Sequence, residues 1–464
     1  MTSKPVTTEI ADFVGVNDVR GRRLDASLMR TFGAGFARFV HTHVPGTPGV
    51  VVGRDTRPDS PELANGVIEG IASLGVDVVD LGVVSTDTIY FASGNWQAPA
   101  AMITASHNPI DDNGIKFCAP GAIPLGRDSG LRQIADMAAQ ESPRPHQATG
   151  RIRECDDVLE AYAGFLRRLV PARSERPRVY IDAGFGAGSV VAPAVFNEAD
   201  VVGRGLIPDG AHLEPDPADP GRHAAAAEAV LDARADLGVV FDGDADRCLF
   251  IDEAGTPVSP SAIAALLAVR MLRRESAAEI VFNAICSRSL PDVIAEAGGT
   301  GYRTPVGHAI IKQQMRSIDA IFGAEHSGHY YFRDFWYADS GMLAVLHVLD
   351  ELAASQARLS DLVAPFHRYS ASGEINRPVE SPDAVLAELA ATFDEYDHDR
   401  LDGLTVTAPD WWFNVRASNS EPVMRLNAEA RDDPTMRRIR DRVLRVLDSA
   451  DYGWDAEARS RLDG

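Results

Sequence analysis

The stretch Ala101-Met-Ile-Thr-Ala-Ser-His-Asn-Pro-Ile110 joins a short apolar run to a polar loop. Pro109 fixes its own φ, lacks a backbone donor and biases Asn108 towards an extended conformation, so the apolar run cannot continue as a helix or a central strand. Ser106 is therefore predicted to lie on a loop. A serine presented there, with Lys116 further along the chain, can carry a covalent group during catalysis. The same residues also fit an ordinary turn.

Apolar runs alternate with helical patterns around this stretch. The sequence shows apolar runs at 50–52, 76–81 and 100–104, with a helical pattern at 61–74. The same rhythm returns at 178–182 with 237–241, and again at 279–283 with 319–323. Such alternation is typical of βαβ units and largely parallel sheets. Three consecutive α/β domains are therefore predicted.

The pattern changes after about residue 366. Residues 368–382 are rich in turn formers and are predicted to be turns. A helix is predicted at 383–393, strands at 412–417 and 423–428, and a last helix at 434–447. These elements fit a smaller C-terminal α+β domain. A chain of 464 residues is too long for one core, so we expect domains at 1–152, 153–257, 258–368 and 369–464.

Composition excludes several classes of partner. The net charge of −22 argues against broad nucleic-acid binding and against docking on an anionic membrane. No apolar run approaches the roughly 18 residues of a membrane span, and the first ten residues lack the apolar segment of a signal peptide. The four cysteines show no C-x-x-C spacing, which favours reduced thiols and a cytoplasmic protein.

The segment Phe241-Asp-Gly-Asp-Ala-Asp-Arg247 directly follows an apolar strand. Its three carboxylates stand at alternate positions, at Asp242, Asp244 and Asp246. Carboxylates this close repel one another unless a cation neutralises them, and Mg²⁺ is favoured because it takes few protein carboxylates and completes its shell with water or phosphate oxygens. An EF-hand is disfavoured because Arg247 stands where that loop needs glycine. A solvated acidic turn is the alternative.

Two further segments carry polar side chains that could bind a sugar or a phosphate. Gly323-Ala-Glu-His-Ser-Gly-His329 supplies acceptors and donors suited to sugar hydroxyls. Further on, Arg416 and Arg425 bracket a Ser-Asn-Ser turn whose hydroxyls and backbone N–H groups can cradle a phosphate. Each segment also fits a structural loop.

The order and spacing of four segments resemble the signature loops of the α-D-phosphohexomutase family. These segments are Thr104-Ala-Ser-His-Asn-Pro109, Asp242-Gly-Asp-Ala-Asp-Arg247, Glu325-His-Ser-Gly-His329 and Arg416-Ala-Ser-Asn-Ser-Glu-Pro422. The likeness also covers 18–21, 53–57, 113–116, 306–308 and Lys312, and within the family it is greatest to the bacterial phosphomannomutase/phosphoglucomutase branch. Two departures are Asn17, where the family usually has an aromatic residue, and Ser85-Thr-Asp87, where Pro-Thr-Pro is common.

The resemblance implies a heart-shaped enzyme of four domains, whose loops carry the phosphoserine, the metal, the sugar and the phosphate in that order and meet in a central cleft. Ser106 would be phosphorylated in the resting enzyme. The implied catalytic residues are Ser106, Lys116, His329 and Arg20, with Lys116 and His329 as candidates for handling the hydroxyl proton. The implied Mg²⁺ ligands are the Ser106 phosphate, Asp242, Asp244 and Asp246. The implied substrate-binding residues are Arg247, His308, Glu325, Ser327, Arg416, Ser418, Asn419, Ser420 and Arg425.

The resemblance further implies a phosphomannomutase that interconverts mannose 6-phosphate and mannose 1-phosphate. A hexose 1,6-bisphosphate would form, turn round in the site and return a phosphate to Ser106, with glucose or mannose 1,6-bisphosphate as activator. The expected partner is a phosphohexose, glucose phosphates are further expected substrates, and we expect a monomer or a homodimer. The alternatives are a dedicated phosphoglucomutase, a phosphoglucosamine mutase, and a phosphoserine-dependent phosphatase or bisphosphate synthase.

Overall fold

Four β-sheets follow one another along the chain. The computed structural model describes residues 10, 13–22, 24–140, 149–174, 177–196, 201–418 and 423–449. Three sheets mix parallel and antiparallel strands and are covered by helices, and the fourth is antiparallel. This arrangement confirms the predicted fold class, three related α/β domains followed by a smaller domain.

The first sheet has a parallel part and an antiparallel edge, in the order β1-β5-β4-β2-β3-β7 with β6 beside β5. Its strands are β1 (Val19–Gly21), β2 (Val50–Arg54), β3 (Val78–Val83), β4 (Ala100–Ile103), β5 (Asn113–Ala119), β6 (Ile123–Pro124) and β7 (Ile152–Glu154). Its helices are α1 (Ala26–His43), α2 (Ser60–Ala72), α3 (Thr86–Trp96) and α4 (Arg132–Ala138), with a π-helical turn at Arg127–Leu131.

The second and third sheets share one plan, in which three parallel strands are extended by an antiparallel pair. The second contains β8 (Val179–Asp182), β9 (Val201–Arg204), β10 (Leu237–Phe241), β11 (Cys248–Asp252) and β12 (Pro257–Val258), with α5 (Val158–Leu169), α6 (Gly188–Val195), α7 (Pro220–Ala233) and a 3₁₀ turn at Gly210–His212. The third contains β13 (Glu279–Asn283), β14 (Thr300–Thr304), β15 (Phe322–Ala324), β16 (Tyr330–Phe332) and β17 (Ala338–Asp339), with α8 (Pro260–Arg274), α9 (Ser289–Glu296), α10 (His308–Ile318), α11 (Gly341–Ser355), α12 (Leu359–Val363) and 3₁₀ turns at Arg333–Phe335 and Ala364–Phe366.

The fourth sheet corrects one prediction. Its strands are β18 (Ser370–Pro378), β19 (Asp397–Asp399), β20 (Leu404–Thr407), β21 (Trp411–Ala417) and β22 (Val423–Ala430), and its helices are α13 (Pro382–Thr392) and α14 (Asp433–Ser449). The segment 368–382, predicted to be turns, is mostly the nine-residue strand β18. A bulge between Ala371 and Glu374 interrupts its pairing with β22. The bulge also interrupts the alternation of side chains from which a strand is recognised.

The four loops singled out in the sequence hold the same topological position. Each joins two consecutive strands that pair antiparallel: β4 to β5, β10 to β11, β15 to β16, and β21 to β22. In the first three sheets the strand before the loop is also paired in parallel on its other side. The first three loops therefore leave the carboxyl ends of parallel strands, the edge at which α/β sheets commonly bind ligands.

The apolar core divides the molecule unequally. One cluster of buried residues runs through the first three sheets. Three aromatic rings illustrate its continuity: the ring centroid of Tyr162 on α5 lies 5.6 Å from that of Phe91 on α3 and 6.3 Å from that of Phe335. The fourth sheet has a separate cluster between Val379 and Leu447. Within the described ranges, no helix is both long and apolar enough to cross a membrane.

Candidate active site

The loop that carries Ser106 is held from behind by a buried arginine. Arg57 is 1% exposed. Its guanidinium donates to the backbone carbonyls of Ser106, Asn108, Pro109 and Asp112 at 2.6–2.8 Å. Five N–H donors in a rigid fork suit this task, because several carbonyls of one loop converge on one planar group. Arg57 lies in the 53–57 segment of the resemblance, but no sequence pattern predicted this contact.

The hydroxyl of Ser106 faces the acidic loop of the second sheet. Ser106 Oγ donates to Asp242 Oδ2 at 2.9 Å, and Arg247 Nη2 donates to Ser106 Oγ at 3.3 Å. Ser106 has a φ of 53°, in the left-handed region that non-glycine residues seldom adopt. A Cβ added at Gly243 would lie 2.6 Å from the Ser106 carbonyl oxygen, so only glycine lets the two loops approach this closely.

Asp242, Asp244 and Asp246 form a buried acidic triad at this end of the cleft. Each offers a carboxylate oxygen, and these oxygens lie within 4.8 Å of one another. Oδ1 of Asp244 and Oδ1 of Asp246 are buried without a hydrogen-bond partner among the described residues. Buried unsatisfied carboxylate oxygens are costly, and oxygen ligands of this kind fit a hard divalent cation. The triad could therefore hold a metal ion.

Two groups from the first domain contact the triad. Lys116 Nζ lies 2.7 Å from Asp244 Oδ2 and 2.8 Å from Asp246 Oδ2. The Thr86 hydroxyl donates to Asp244 Oδ2 at 2.6 Å. Burial alone would raise the pKa of Asp244, but Lys116 outweighs it and the pKa is lowered. Burial likewise opposes the charge of Lys116, yet the two carboxylates raise its pKa. The amine is therefore held as a cation. Burial raises the pKa of Asp242, against the opposing effect of Arg247.

Arg20 stands beside the Ser106 loop. Its guanidinium donates to Asn108 Oδ1 at 2.7 Å and to Asp18 Oδ2 at 2.6 Å. Strand β1 brings it there by pairing with β5, the strand that carries Lys116. The predicted residue is thus placed in contact with the loop, next to the serine.

The loop between β15 and β16 is tied to its surroundings through Glu325. This carboxylate accepts from Asn283 Nδ2 and the Gly307 backbone N–H, both at 3.2 Å, and from the Tyr331 hydroxyl at 2.9 Å. His329 Nδ1 lies 3.2 Å from Glu325 Oε2. Burial opposes ionisation of Glu325, but His329, His326 and the Tyr331 hydroxyl keep its pKa below the usual range. Asn283 and Tyr331 were not predicted from the sequence.

His329 connects this loop to the acidic triad. Its Nε2 lies 3.6 Å from Asp246 Oδ1, and Ser327 Oγ lies 2.8 Å from its Nδ1. Burial would lower the pKa of His329, but Asp246 and Glu325 raise it to about 9. His308, implied as a substrate-binding residue, begins α10, and its Nδ1 has no hydrogen-bond partner in the described part of the chain. Burial lowers the pKa of His308 well below its ordinary value.

The hairpin of β21 and β22 carries the two predicted arginines. Arg416 and Arg425 are directly opposite each other in the register of the two strands. The Ser418 backbone N–H donates to the Val423 carbonyl at 2.8 Å and closes the hairpin. Burial lowers the pKa of Arg416. Asn419 and Ser420, predicted to bind phosphate, lie outside the described residues.

A cleft of about 920 Å³ brings the four loops together. Its lining includes His107, Arg247, Ser327 and Arg425, one residue from each loop. Its wall also includes Glu374 and Asn427 of the fourth sheet. The cleft is thus lined by Arg247, which contacts Ser106 and Asp242, and by Arg425 of the last hairpin.

Comparison with known proteins identifies the family of the chain. Residues 12–144, 160–255, 259–369 and 374–446 match, in order, phosphoglucomutase/phosphomannomutase alpha/beta/alpha domains I, II and III and the C-terminal domain of the same family. The chain belongs to the phosphoglucomutase/phosphomannomutase family. It is similar to a phosphomannomutase of Salmonella typhimurium, with 36% identity over 93% of this chain and 97% of that protein.

Two further relatives extend the comparison. A Xanthomonas campestris pv. campestris protein named phosphohexose mutases is 34% identical over 93% of this chain and 97% of its own length. The crystal structure of a phosphoglucomutase/phosphomannomutase family protein from Burkholderia thailandensis matches with a TM-score of 0.85 and 28% identity, covering 98% of this chain and 99% of that one. Family membership makes this chain an enzyme, an isomerase that transfers phosphate within a sugar phosphate.

Proposed function

We propose that the protein is a phosphomannomutase that converts mannose 6-phosphate to mannose 1-phosphate and back through a phosphorylated Ser106. The observation that carries this proposal is the buried contact of Ser106 Oγ with Asp242, 2.9 Å away. Arg247, which contacts both residues, lines a cleft that Arg425 also lines. A serine in this setting can carry a phosphoryl group between two sites on a sugar.

The acidic triad would hold Mg²⁺ together with an oxygen of the Ser106 phosphate. A bound Mg²⁺ would neutralise the charge that develops on the transferring phosphoryl group. Arg247, which already donates to Ser106 Oγ at 3.3 Å, would bind the oxygens of that group. Positioning and charge neutralisation are the main demands of this chemistry.

In the proposed transfer, the bond from phosphorus to Ser106 Oγ breaks as a bond to the free sugar hydroxyl forms. The hydroxyl proton needs an acceptor close to the serine. Lys116 and His329 are the two candidates for handling it, but neighbouring carboxylates raise the pKa of both, so either can accept this proton only after releasing its own. Both contact Asp246, Lys116 at 2.8 Å and His329 at 3.6 Å. The product of this step is a hexose 1,6-bisphosphate, which turns round so that its other phosphate is returned to Ser106.

The remaining loops would bind the sugar in both orientations. Glu325 and Ser327 would contact the 3- and 4-hydroxyls, whose positions overlay when the ring is turned. Because Glu325 already accepts several hydrogen bonds, a sugar hydroxyl must replace one of these donors. His308 would contact the substrate beside Glu325, and Arg416, Ser418, Asn419, Ser420 and Arg425 would bind the phosphate that does not react.

The names of the relatives support mannose phosphates as substrates and are compatible with glucose phosphates as further substrates. The Salmonella relative is a phosphomannomutase, and the Xanthomonas relative is named for phosphohexoses in general. Turnover on mannose 1-phosphate and glucose 1-phosphate, compared at equal concentration, decides between the two sugars. A large preference for glucose 1-phosphate would make the enzyme a phosphoglucomutase.

The test of the mechanism is intact mass and peptide mapping, before and after incubation with glucose 1,6-bisphosphate and Mg²⁺. One added phosphate on the Ser106 peptide is expected. A serine that stays unmodified after this treatment contradicts the phosphoserine mechanism.

A further inference from the structure

A carboxylate of the protein itself lies between the two arginines of the fourth sheet. Glu374 Oε2 accepts from Arg416 Nη2 at 3.3 Å, and Glu374 Oε1 accepts from Arg425 Nη1 at 3.1 Å. Asn427 Nδ2 donates to Oε2 at 3.4 Å, and His326 Nε2 lies 3.7 Å from the same oxygen. Four nitrogen-bearing side chains from two domains therefore surround one anionic group.

A bulge in β18 places Glu374 on this face of the sheet. Before the bulge, Ala371 pairs with Glu429, and after it Glu374 pairs with Asn427, so β18 contains one extra residue. Gly373, with a φ of 68°, forms the bulge. A shift of one residue moves every following side chain to the other face of a strand. Without the extra residue, position 374 would be opposite Leu426, which is buried in the core of the fourth domain.

The arginine pair requires an anion. Arg416 is 4% exposed, and it faces Arg425 directly across two antiparallel strands. Like charges in that position repel each other, and the repulsion is stronger where water is excluded. Glu374 supplies a neutralising charge, because its carboxylate reaches both guanidinium groups. Its side chain is 24% exposed. The pKa of Glu374 reflects this setting: burial would raise it, but His326 and the arginines lower it to about 2.

We infer that Glu374 is an internal anion that occupies the arginine pair in the absence of substrate and is displaced by the phosphate of a bound sugar phosphate. The inference rests on the proposed function only in taking Arg416 and Arg425 as phosphate ligands. A carboxylate and a phosphate cannot both accept from the same N–H groups, and their charges repel. Glu374 therefore sets the affinity of this end of the cleft and its selectivity for strongly charged ligands.

The test compares Glu374→Gln with the wild type by calorimetric titration with inorganic phosphate in the absence of Mg²⁺. The substitution keeps the shape of the side chain and removes its charge. We expect phosphate to bind about five- to tenfold more tightly, because it no longer displaces a competing anion. Glu374→Ala should shift the affinity in the same direction, which excludes a new hydrogen bond from the introduced amide as the cause.

The matched control is Glu388→Gln, which removes an exposed carboxylate from α13 of the same domain. It changes the net charge equally and should leave phosphate affinity unchanged. Phosphate affinity that is equal or weaker in both Glu374 variants, including undetectable binding throughout, overturns the inference. The measurement needs no turnover, so a protein without mutase activity whose Glu374→Gln variant binds phosphate more tightly contradicts only the proposed function.

Discussion

The two ends of the cleft are built differently. The metal end, defined by Ser106, Lys116 and the acidic triad, is buried and is assembled from loops of sheets that share one apolar core. The phosphate end, defined by Arg416, Arg425, Asn427 and Glu374, belongs to the fourth sheet, which has its own core.

The ends also differ in how their charges are neutralised. At the metal end, carboxylates are paired with Lys116 and Arg247, which come from different domains and whose side chains are at most 11% exposed. At the phosphate end, both arginines are paired with Glu374, a side chain of their own sheet. We therefore expect the metal end to be fixed before substrate arrives and the phosphate end to exchange Glu374 for a phosphate.

The largest effect is expected from breaking the metal end at its centre. Ser106→Ala removes the only atom of that side chain that can carry phosphate, so turnover should fall by about 10⁴-fold or more. Sugar-phosphate binding, measured by calorimetry, should remain because the phosphate end is intact. Ser317→Ala, exposed on α10, is the control. Undiminished turnover in Ser106→Ala would exclude the carrier role.

A smaller effect is expected from loosening one ligand of the metal end. Thr86→Val keeps the shape of the side chain and removes the hydroxyl that donates to Asp244 Oδ2 at 2.6 Å. A hydrogen bond that orients a metal-binding carboxylate typically changes metal affinity by about 10- to 100-fold. The Mg²⁺ concentration for half-maximal turnover should therefore rise.

Thr88→Val is the matched control for that experiment. Thr88 is equally buried, and its hydroxyl lies 2.8 Å from Ser85 Oγ. Equal Mg²⁺ dependence in the wild type and Thr86→Val would show that the threonine does not position the metal ligand.

Breaking the phosphate end should change binding more than chemistry. Arg416→Ala removes charge-assisted hydrogen bonds worth about 1.5–3 kcal/mol each, so KM for mannose 6-phosphate should rise by about 10- to 100-fold with a smaller change in kcat. Arg431→Ala, which removes an arginine that is 59% exposed on the same domain, is the control. Unchanged KM and kcat would remove this hairpin from the site.

The difference between the ends also explains what the sequence could predict. The candidate catalytic and metal-binding residues of the metal end fall in short contiguous motifs. Ser106 and Asp242 could therefore both be singled out although they are far apart in the chain. Arg57 acts on backbone carbonyls, which no residue pattern reports. Glu374 lies in a segment predicted to be turns, because Ser370–Pro378 contains serine, glycine, asparagine and proline and its alternation is broken by the bulge. Residues that act within one short motif can therefore be recognised in the sequence. The register of a strand is set by its pairing with strands that are distant in the chain, so it cannot be recognised in the same way.

The smallest effect is expected on stability, at Asp87, in a junction where side chains of three domains meet behind the metal end. Asp87 is fully buried and accepts from Ser85, from Tyr162 at 2.6 Å and from Ser340 at 2.6 Å. Burial raises its pKa to about 6, against an ordinary value of 3.8. The folded protein therefore binds a proton that the unfolded chain has released, and the stability that this provides is lost as pH rises through 6.

Asp87→Asn removes this titration while leaving oxygen and nitrogen positions that can meet the three hydroxyls. Between pH 5 and pH 8, the unfolding free energy of the wild type relative to Asp87→Asn should fall by about 1–2 kcal/mol, as measured by denaturant unfolding at a series of pH values. Phosphate affinity should not change, because the junction belongs to the metal end alone. A difference in stability that is independent of pH would show that Asp87 is ionised as readily as a solvated carboxylate, and the rigidity of the metal end would then have to come from the apolar core and not from this junction.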